Sequence, residues 1–288
     1  MNQLNLFIEL TRLKKPIGYM LLFWPCAWGL TLVYDLSNNI NVYFFYLLLF
    51  FLGSVLMRSA GCIVNDILDR KFDKQVARTK DRPIASGKIK ISTGLFYAAL
   101  LCALAFLVLI NFNYFTILIA LASMPLAFTY PLMKRYTYWP QLFLGVTFNY
   151  GLILGWTSIS GNLNIIPIVF YFGAIFWTLG YDTIYGYQDI KDDEIIGLKS
   201  TSIKFKGTTK LFLIICYLIL IFSLTFGGYL MNFNLFYFLF LIIPIVQLFL
   251  YQIKTFDPNN SNTCLKIFKS NNYFGLMVFL NILIGKIQ

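Results

Sequence analysis

Apolar stretches of roughly twenty residues, separated by short polar breaks, recur along the whole chain. A helix crossing a bilayer needs such a stretch, because about 20 residues rising about 1.5 Å each cover a hydrocarbon core of about 30 Å. The pattern predicts nine spans, at about 17–34, 42–64, 92–111, 114–133, 139–158, 165–184, 209–231, 235–253 and 272–287. The last is short and is expected to lie partly at the membrane interface. Short links at 111–113, 160–164 and 232–234 join antiparallel neighbours, whereas the connections 65–91 and 185–208 are long and charged. The expected fold class is an all-α membrane protein. About nine transmembrane helices form one bundle, a single domain over residues 1–288.

Composition agrees with the pattern. Hydrophobic residues make up 59% of the chain and charged residues 12%, whereas soluble domains carry about 25% charge. So little charge could not cover one soluble core of this size. The first apolar run is too long for the h-region of a signal peptide and has no small-residue cleavage pattern. Nor do residues 1–15 resemble an Arg- and Ser-rich transit peptide, so the first span is expected to be retained. The five cysteines are scattered through apolar runs and form no disulfide or C-x-x-C pattern, which suits small packing residues. Histidine is absent, and with it His-based nucleophilic catalysis, His-ligated metals and haem axial histidines. Proton or metal chemistry must rest on Asp, Tyr, Lys, Arg or water.

Charge then orients the spans. With the N-terminus cytoplasmic, every Lys and Arg except Lys286 falls on an inner segment, as the positive-inside rule requires. The net charge of +11 is therefore explained by loops facing anionic lipid, with no need of nucleic acid. The lipid bilayer is the expected partner surface, and nothing in the chain implies an obligate protein partner. Among the acids, Asp66, Asp69, Asp73 and Asp81 follow the second span, and Asp182, Asp189, Asp192, Asp193 and Glu194 lie at or after the sixth. Both clusters end an inward-running helix, four spans apart, which suggests two four-helix units plus one extra helix.

In the first cluster, Asn65, Asp69 and Asp73 recur every four residues and would share one face if the helix continued through them. In the second, Asp182, Tyr185, Asp189 and Asp193 also fall on one helical face. Carboxylates so close repel one another unless cations neutralise them. Oxygen-only ligands suit Mg²⁺, which is held by a few carboxylates and by substrate phosphates. The alternative for each single acid is an ion pair at a solvated helix end, with Arg70, Lys71 or Lys74 near the first cluster. Arg78, Lys80 and Arg82 follow one cluster, and Lys199 and Lys204 the other, where they could contact diphosphate oxygens. Beside an apolar bundle able to hold a hydrocarbon tail, this reads as transfer of a lipid-borne group by an ionising diphosphate.

The motifs Asn65-x-x-x-Asp69-x-x-x-Asp73 and Asp189-x-x-x-Asp193 closely resemble those of the UbiA superfamily of intramembrane prenyltransferases. The flanking segments look like its 4-hydroxybenzoate branch. They are Leu13-Lys-Lys-Pro-Ile-Gly18 before Trp24-Pro25, Arg58-Ser-Ala-Gly-Cys62, Arg78-Thr-Lys-Asp-Arg-Pro83, Tyr181-Asp-Thr-Ile-Tyr185 and Gly197-Leu-Lys-Ser-Thr201. The resemblance implies a nine-helix bundle whose cavity opens to lipid, and Mg²⁺ held by Asp69, Asp73, Asp189 and Asp193. It also implies a polyprenyl diphosphate whose allylic cation attacks 4-hydroxybenzoate ortho to its hydroxyl, in ubiquinone biosynthesis. Tyr130 and Lys134 resemble the family's Y-x-x-x-K element. Asn65, Asp66, Arg70, Arg78, Lys80, Arg82, Tyr130, Lys134, Asp182, Tyr185 and Lys199 form the expected catalytic set.

Arg58 is the first candidate for the benzoate carboxylate, and an ion pair with the aspartates explains it equally well. Arg12 and Lys15 come next, although snorkelling anchors account for them too. The implied location is a bacterial inner membrane with the site facing the cytoplasm. Two other readings remain open: a relative acting on homogentisate, dihydroxynaphthoate, haem or a chlorophyll precursor, and an ion-coupled transporter. Against the transporter, the acids sit at one membrane face rather than at its midplane.

Overall fold

The computed structural model describes residues 3–287, and every regular element among them is helical. Helix α1 (Gln3–Thr11) precedes α2 (Ile17–Val33), α3 (Ile40–Leu68), the one-turn α4 (Arg70–Asp73), α5 (Ile91–Leu109) and α6 (Tyr114–Thr129). A 3₁₀ turn at Tyr130–Leu132 carries α6 into the one-turn α7 (Met133–Tyr136). The second half holds α8 (Pro140–Ser160), α9 (Ile165–Gly186), the short α10 (Ile190–Ile195) and α11 (Thr201–Lys204), and α12 (Thr209–Leu230). Then α13 (Leu235–Phe240) and α14 (Ile242–Val246) run into a π-helical segment, Gln247–Ile253, before α15 (Ser261–Lys286). Among the described residues eight stretches are long and apolar enough to cross a bilayer, and the other expected span, Ile17–Val33, is an apolar helix of 17 residues.

The polar links explain where these helices begin. Asn39, Asn113, Asn164 and Asn234 each accept a hydrogen bond from a first-turn backbone N–H of the helix that follows, as does Asn260 before α15. An asparagine at this position satisfies donors that apolar surroundings would otherwise leave bare. Two sequence expectations need correction. The last helix starts at Ser261, well before 272, and one side of its polar first half, carrying Ser270 and Asn271, is buried among other helices. There Asn271 accepts from Trp177 Nε1 at 2.8 Å and from Gln252 at 3.0 Å. Nor does either acidic motif ride on one continuous helix. Helix α3 stops at Leu68, Asp69 leaves helical geometry (φ −90°, ψ 3°), and Asp73 sits on α4. Likewise α9 stops at Gly186, and Asp189 leads into α10.

The bundle is organised around the crossing of α2 and α8. Gly29 of α2 lies directly against the backbone of Leu152, and Gly155 of α8 against the backbone of Cys26 and Leu30, so neither has room for a side chain. Small residues allow such close approach between membrane helices, where packing replaces the hydrophobic effect as the driving force. Neighbours repeat around that crossing: α2 packs on α3 as α8 packs on α9, and α3 on α5 as α9 on α12. At the centre the rings of Trp28 and Trp177 lie 5.1 Å apart, with Phe274 of α15 5.2 Å beyond Trp177. Gly155→Leu is expected to cost at least the ~1–3 kcal/mol of an overpacked core. A lowered melting temperature of the detergent-solubilised protein checks this, and an unchanged one contradicts it.

Candidate active site

The ends of α3 and α9 bring both acidic motifs to one face of the bundle, and the connection after α4 ties them together. Arg78 in that connection pairs with Asp189, its Nε donating to Oδ1 at 2.8 Å, while the Ala77 backbone N–H donates to Asp192 at 3.1 Å. The same guanidinium reaches the Tyr185 hydroxyl at 3.4 Å and stands 5.6 Å from its ring centroid. Buried Val76, Ile84, Ala85 and Ile89 pin this connection down, Ile84 and Ile89 packing with Leu6 and Leu10 of α1.

The first motif is the more deeply enclosed. Asp66, Asp69 and Asp73 are 2%, 1% and 6% exposed, which bare carboxylates could not sustain. Each has cationic partners. Asp66 binds Arg12 at 2.5 Å and Arg82 at 3.1 Å, Arg82 also binds Asp73 at 2.9 Å, and Asp69 binds Lys134 at 2.6 Å and Arg135 at 3.3 Å. Arg12 reaches in from a left-handed backbone turn (φ 56°) between α1 and α2, a conformation costly for a non-glycine residue. Burial raises the Asp73 carboxyl above its usual value despite Arg82, with Asp66 and Asp69 pushing the same way. In the second motif Asp193 is pushed up to about 6 by burial and by Asp189, and among the described residues it has no ion pair.

An apolar groove opens from this charged face. It lies between α3, α5, α6 and α8, spans about 1210 Å³ of space that includes its open side, and is bordered by Arg58 and Tyr130. Arg58 is not paired with an aspartate among the described residues. Its guanidinium lies 5.2 Å from the Phe148 ring centroid and crowds Gly18. Tyr130 packs edge-on to the same Phe148 at 6.2 Å.

Other expected residues take different positions. Asn65 occupies the last turn of α3, half-buried, and Asp182 lies on α9 with no side-chain hydrogen bond among the described residues. The Lys199 N–H donates to the Lys134 carbonyl at 2.8 Å and its Nζ to Tyr136 O at 3.2 Å, so it anchors the corner that presents Lys134. Lys15 and Lys80 are exposed, Arg70 is half-buried, and among the described residues none of the three has a side-chain ion pair. Sequence reasoning passed over Arg135, although it neighbours Lys134. It also missed Phe148 and Phe268; the Phe268 ring packs tilted against Tyr185 at 4.3 Å and arrives from α15 with no local signal.

A divalent cation fits these donors. All are oxygens, the acids repel one another, and among the described residues no three converge into a ready-made cage. Mg²⁺ prefers such sites, taking one or two carboxylates and completing its shell with water and substrate phosphate.

The chain matches the UbiA prenyltransferase family over residues 22–282. It is 43% identical to the mitochondrial 4-hydroxybenzoate polyprenyltransferase of Bos taurus, over 98% of this chain and 75% of that one. It is 41% identical to 4-hydroxybenzoate geranyltransferase 2 of Lithospermum erythrorhizon, over 98% and 90%. In fold it is similar to a UbiA homolog from Aeropyrum pernix K1 (TM-score 0.76, 19% identity, 93% and 98% covered). A UbiA homolog from Archaeoglobus fulgidus bound to GPP and Mg²⁺ is similar at TM-score 0.70 and 17% identity, with 97% and 98% covered.

Removing one partner of a buried ion pair typically costs about 3–5 kcal/mol, because the other charge is left bare. Arg82→Ala, which strips a cation from both Asp66 and Asp73, is therefore expected to lower unfolding stability at neutral pH on that scale. Equilibrium unfolding in detergent measures it, and a change within error contradicts the pairing.

Proposed function

The chain belongs to the UbiA prenyltransferase family, and from that premise we propose that it transfers a polyprenyl group from polyprenyl diphosphate to 4-hydroxybenzoate. The new bond forms at the ring carbon ortho to the hydroxyl, a step of ubiquinone biosynthesis. The observation that carries this reading is the meeting of two acidic helix ends, linked by Arg78, at the charged mouth of an apolar groove. The relatives named for 4-hydroxybenzoate, similar over nearly the whole chain, support the acceptor.

Asp69, Asp73, Asp189 and Asp193 are the proposed Mg²⁺ ligands, with Asn65 and Asp66 beside them. When bound, Mg²⁺ offsets the charge of the diphosphate and eases its departure. Arg78, Arg82 and Lys134 now hold carboxylates; turning toward diphosphate oxygens, they would stabilise the charge that grows as the allylic C–O bond breaks. Arg70, Lys80 and Lys199 add positive charge to the same loops. Tyr130, Tyr185 and Asp182 face the developing cation, for which ring faces and a carboxylate are stabilising. Arg58, with Arg12 and Lys15 behind it, orients the benzoate carboxylate. The ring carbon then forms the C–C bond and its proton leaves to a nearby carboxylate or to the released diphosphate. The diphosphate face is the cytoplasmic one, in a bacterial inner membrane, and the protein acts without an obligate protein partner.

Purified protein in lipid, given 4-hydroxybenzoate, a polyprenyl diphosphate and Mg²⁺, is expected to form the prenylated acid. A folded preparation that forms none overturns the reading. Competition by homogentisate or dihydroxynaphthoate in that assay distinguishes the acceptor. Asp69→Ala and Asp189→Ala should each abolish turnover while the protein stays folded, and activity retained in either removes it from the ligand set. EDTA should stop the reaction and excess Mg²⁺ restore it; turnover that persists in EDTA contradicts the metal assignment.

A further inference from the structure

The groove has a closed end and an open side. Its outer limit is reached at Phe50 of α3 and Phe112 in the turn after α5, both at most 9% exposed, with ring centroids 4.8 Å apart. Tyr46 braces Phe112 edge-on at 5.5 Å. About one helical turn short of that end, Gly53 faces open space: a Cβ there would meet nothing within 4 Å, so the groove is wide because this position lacks a side chain. The side is open because α5 and α6, though joined by a short turn, are not packed on one another. Phe106 of α5 and Leu121 of α6, which line the groove, are 47% and 45% exposed.

Length follows from helix geometry. From Gly61, beside Arg58, to Phe50, α3 rises about 16 Å at about 1.5 Å per residue. An isoprene unit adds four chain bonds, about 5 Å extended, by the bond geometry that gives a three-bond residue about 3.5 Å. Resting on the prenyl-transfer reading above, we propose that the Phe50–Phe112 pair is a floor limiting the enclosed tail to about three isoprene units. The rest of a longer tail leaves sideways into lipid between α5 and α6. Units inside the groove exchange lipid for a packed wall; units beyond it exchange lipid for lipid and gain nothing.

The test is KM for geranyl, farnesyl, geranylgeranyl and longer diphosphates, in vesicles and per mole of lipid, with 4-hydroxybenzoate and Mg²⁺ saturating. KM should fall from geranyl to farnesyl and stay flat beyond. Phe112→Ala should shift the break to geranylgeranyl. Gly53→Leu, which fills open space and so does not depend on Phe112→Ala folding, should shift it back to geranyl. A KM that keeps falling past farnesyl, or a break that moves in neither variant, overturns the floor alone. Absence of product at every length overturns the prenyl-transfer reading, and the floor with it.

Discussion

Ionised carboxylates do not persist at the rim of a bilayer without partners, and this chain gathers three of them, Asp66, Asp69 and Asp73, almost out of reach of water. The effective cost of burying such an ion is several kcal/mol each, so the fold around them is largely an arrangement for supplying cations. Those cations come from distant parts of the chain: Arg12 before α2, Arg82 after α4, and Lys134 and Arg135 after α6. Each ion pair is therefore also a tertiary contact, fixing the segment that supplies the cation. The left-handed backbone at Arg12 is one local expense of delivering a guanidinium there.

In the proposed reaction the same pairing has a second use. A basic side chain held against a carboxylate stands within reach of any phosphate that docks between them, and a metal that takes the carboxylate releases it to do so. The second motif is poised differently. Asp189 is held by Arg78, while Asp193, with its carboxyl pushed up to about 6, retains the repulsion that a divalent cation relieves. Because Arg78 belongs to the connection after the first motif and Asp189 to the second, the two halves of the bundle meet at this pair. The glycine-lined crossing of α2 and α8 sets how closely the halves approach one another.

Much of this was legible in the sequence, for identifiable reasons. The spans follow from hydropathy because a bilayer admits few alternatives, and the asparagines in the short links were readable as breaks before they proved to be caps. Asp69 and Asp189 stood out because acids are rare in such a chain. The helix break at Asp69 did not show, since an i, i+4 pattern looks the same whether or not the helix continues. The start of α15 was misread because Ser270 and Asn271 look solvent-facing, whereas they bond Gln247 and Trp177 inside the bundle. Phe268, brought to Tyr185 by that helix, had no signature of its own, because ring contact between remote elements leaves no spacing to read.

The central claim is that both acidic motifs serve one metal–diphosphate site. Anomalous diffraction from crystals holding Mn²⁺ and a non-ionising prenyl thiodiphosphate tests it most directly. The account predicts metal peaks against both the Asp69–Asp73 and the Asp189–Asp193 carboxylates, joined by one diphosphate, with the tail directed past Arg58 into the groove. Metal confined to one motif, or a diphosphate bound away from the junction of α3 and α9, would contradict it.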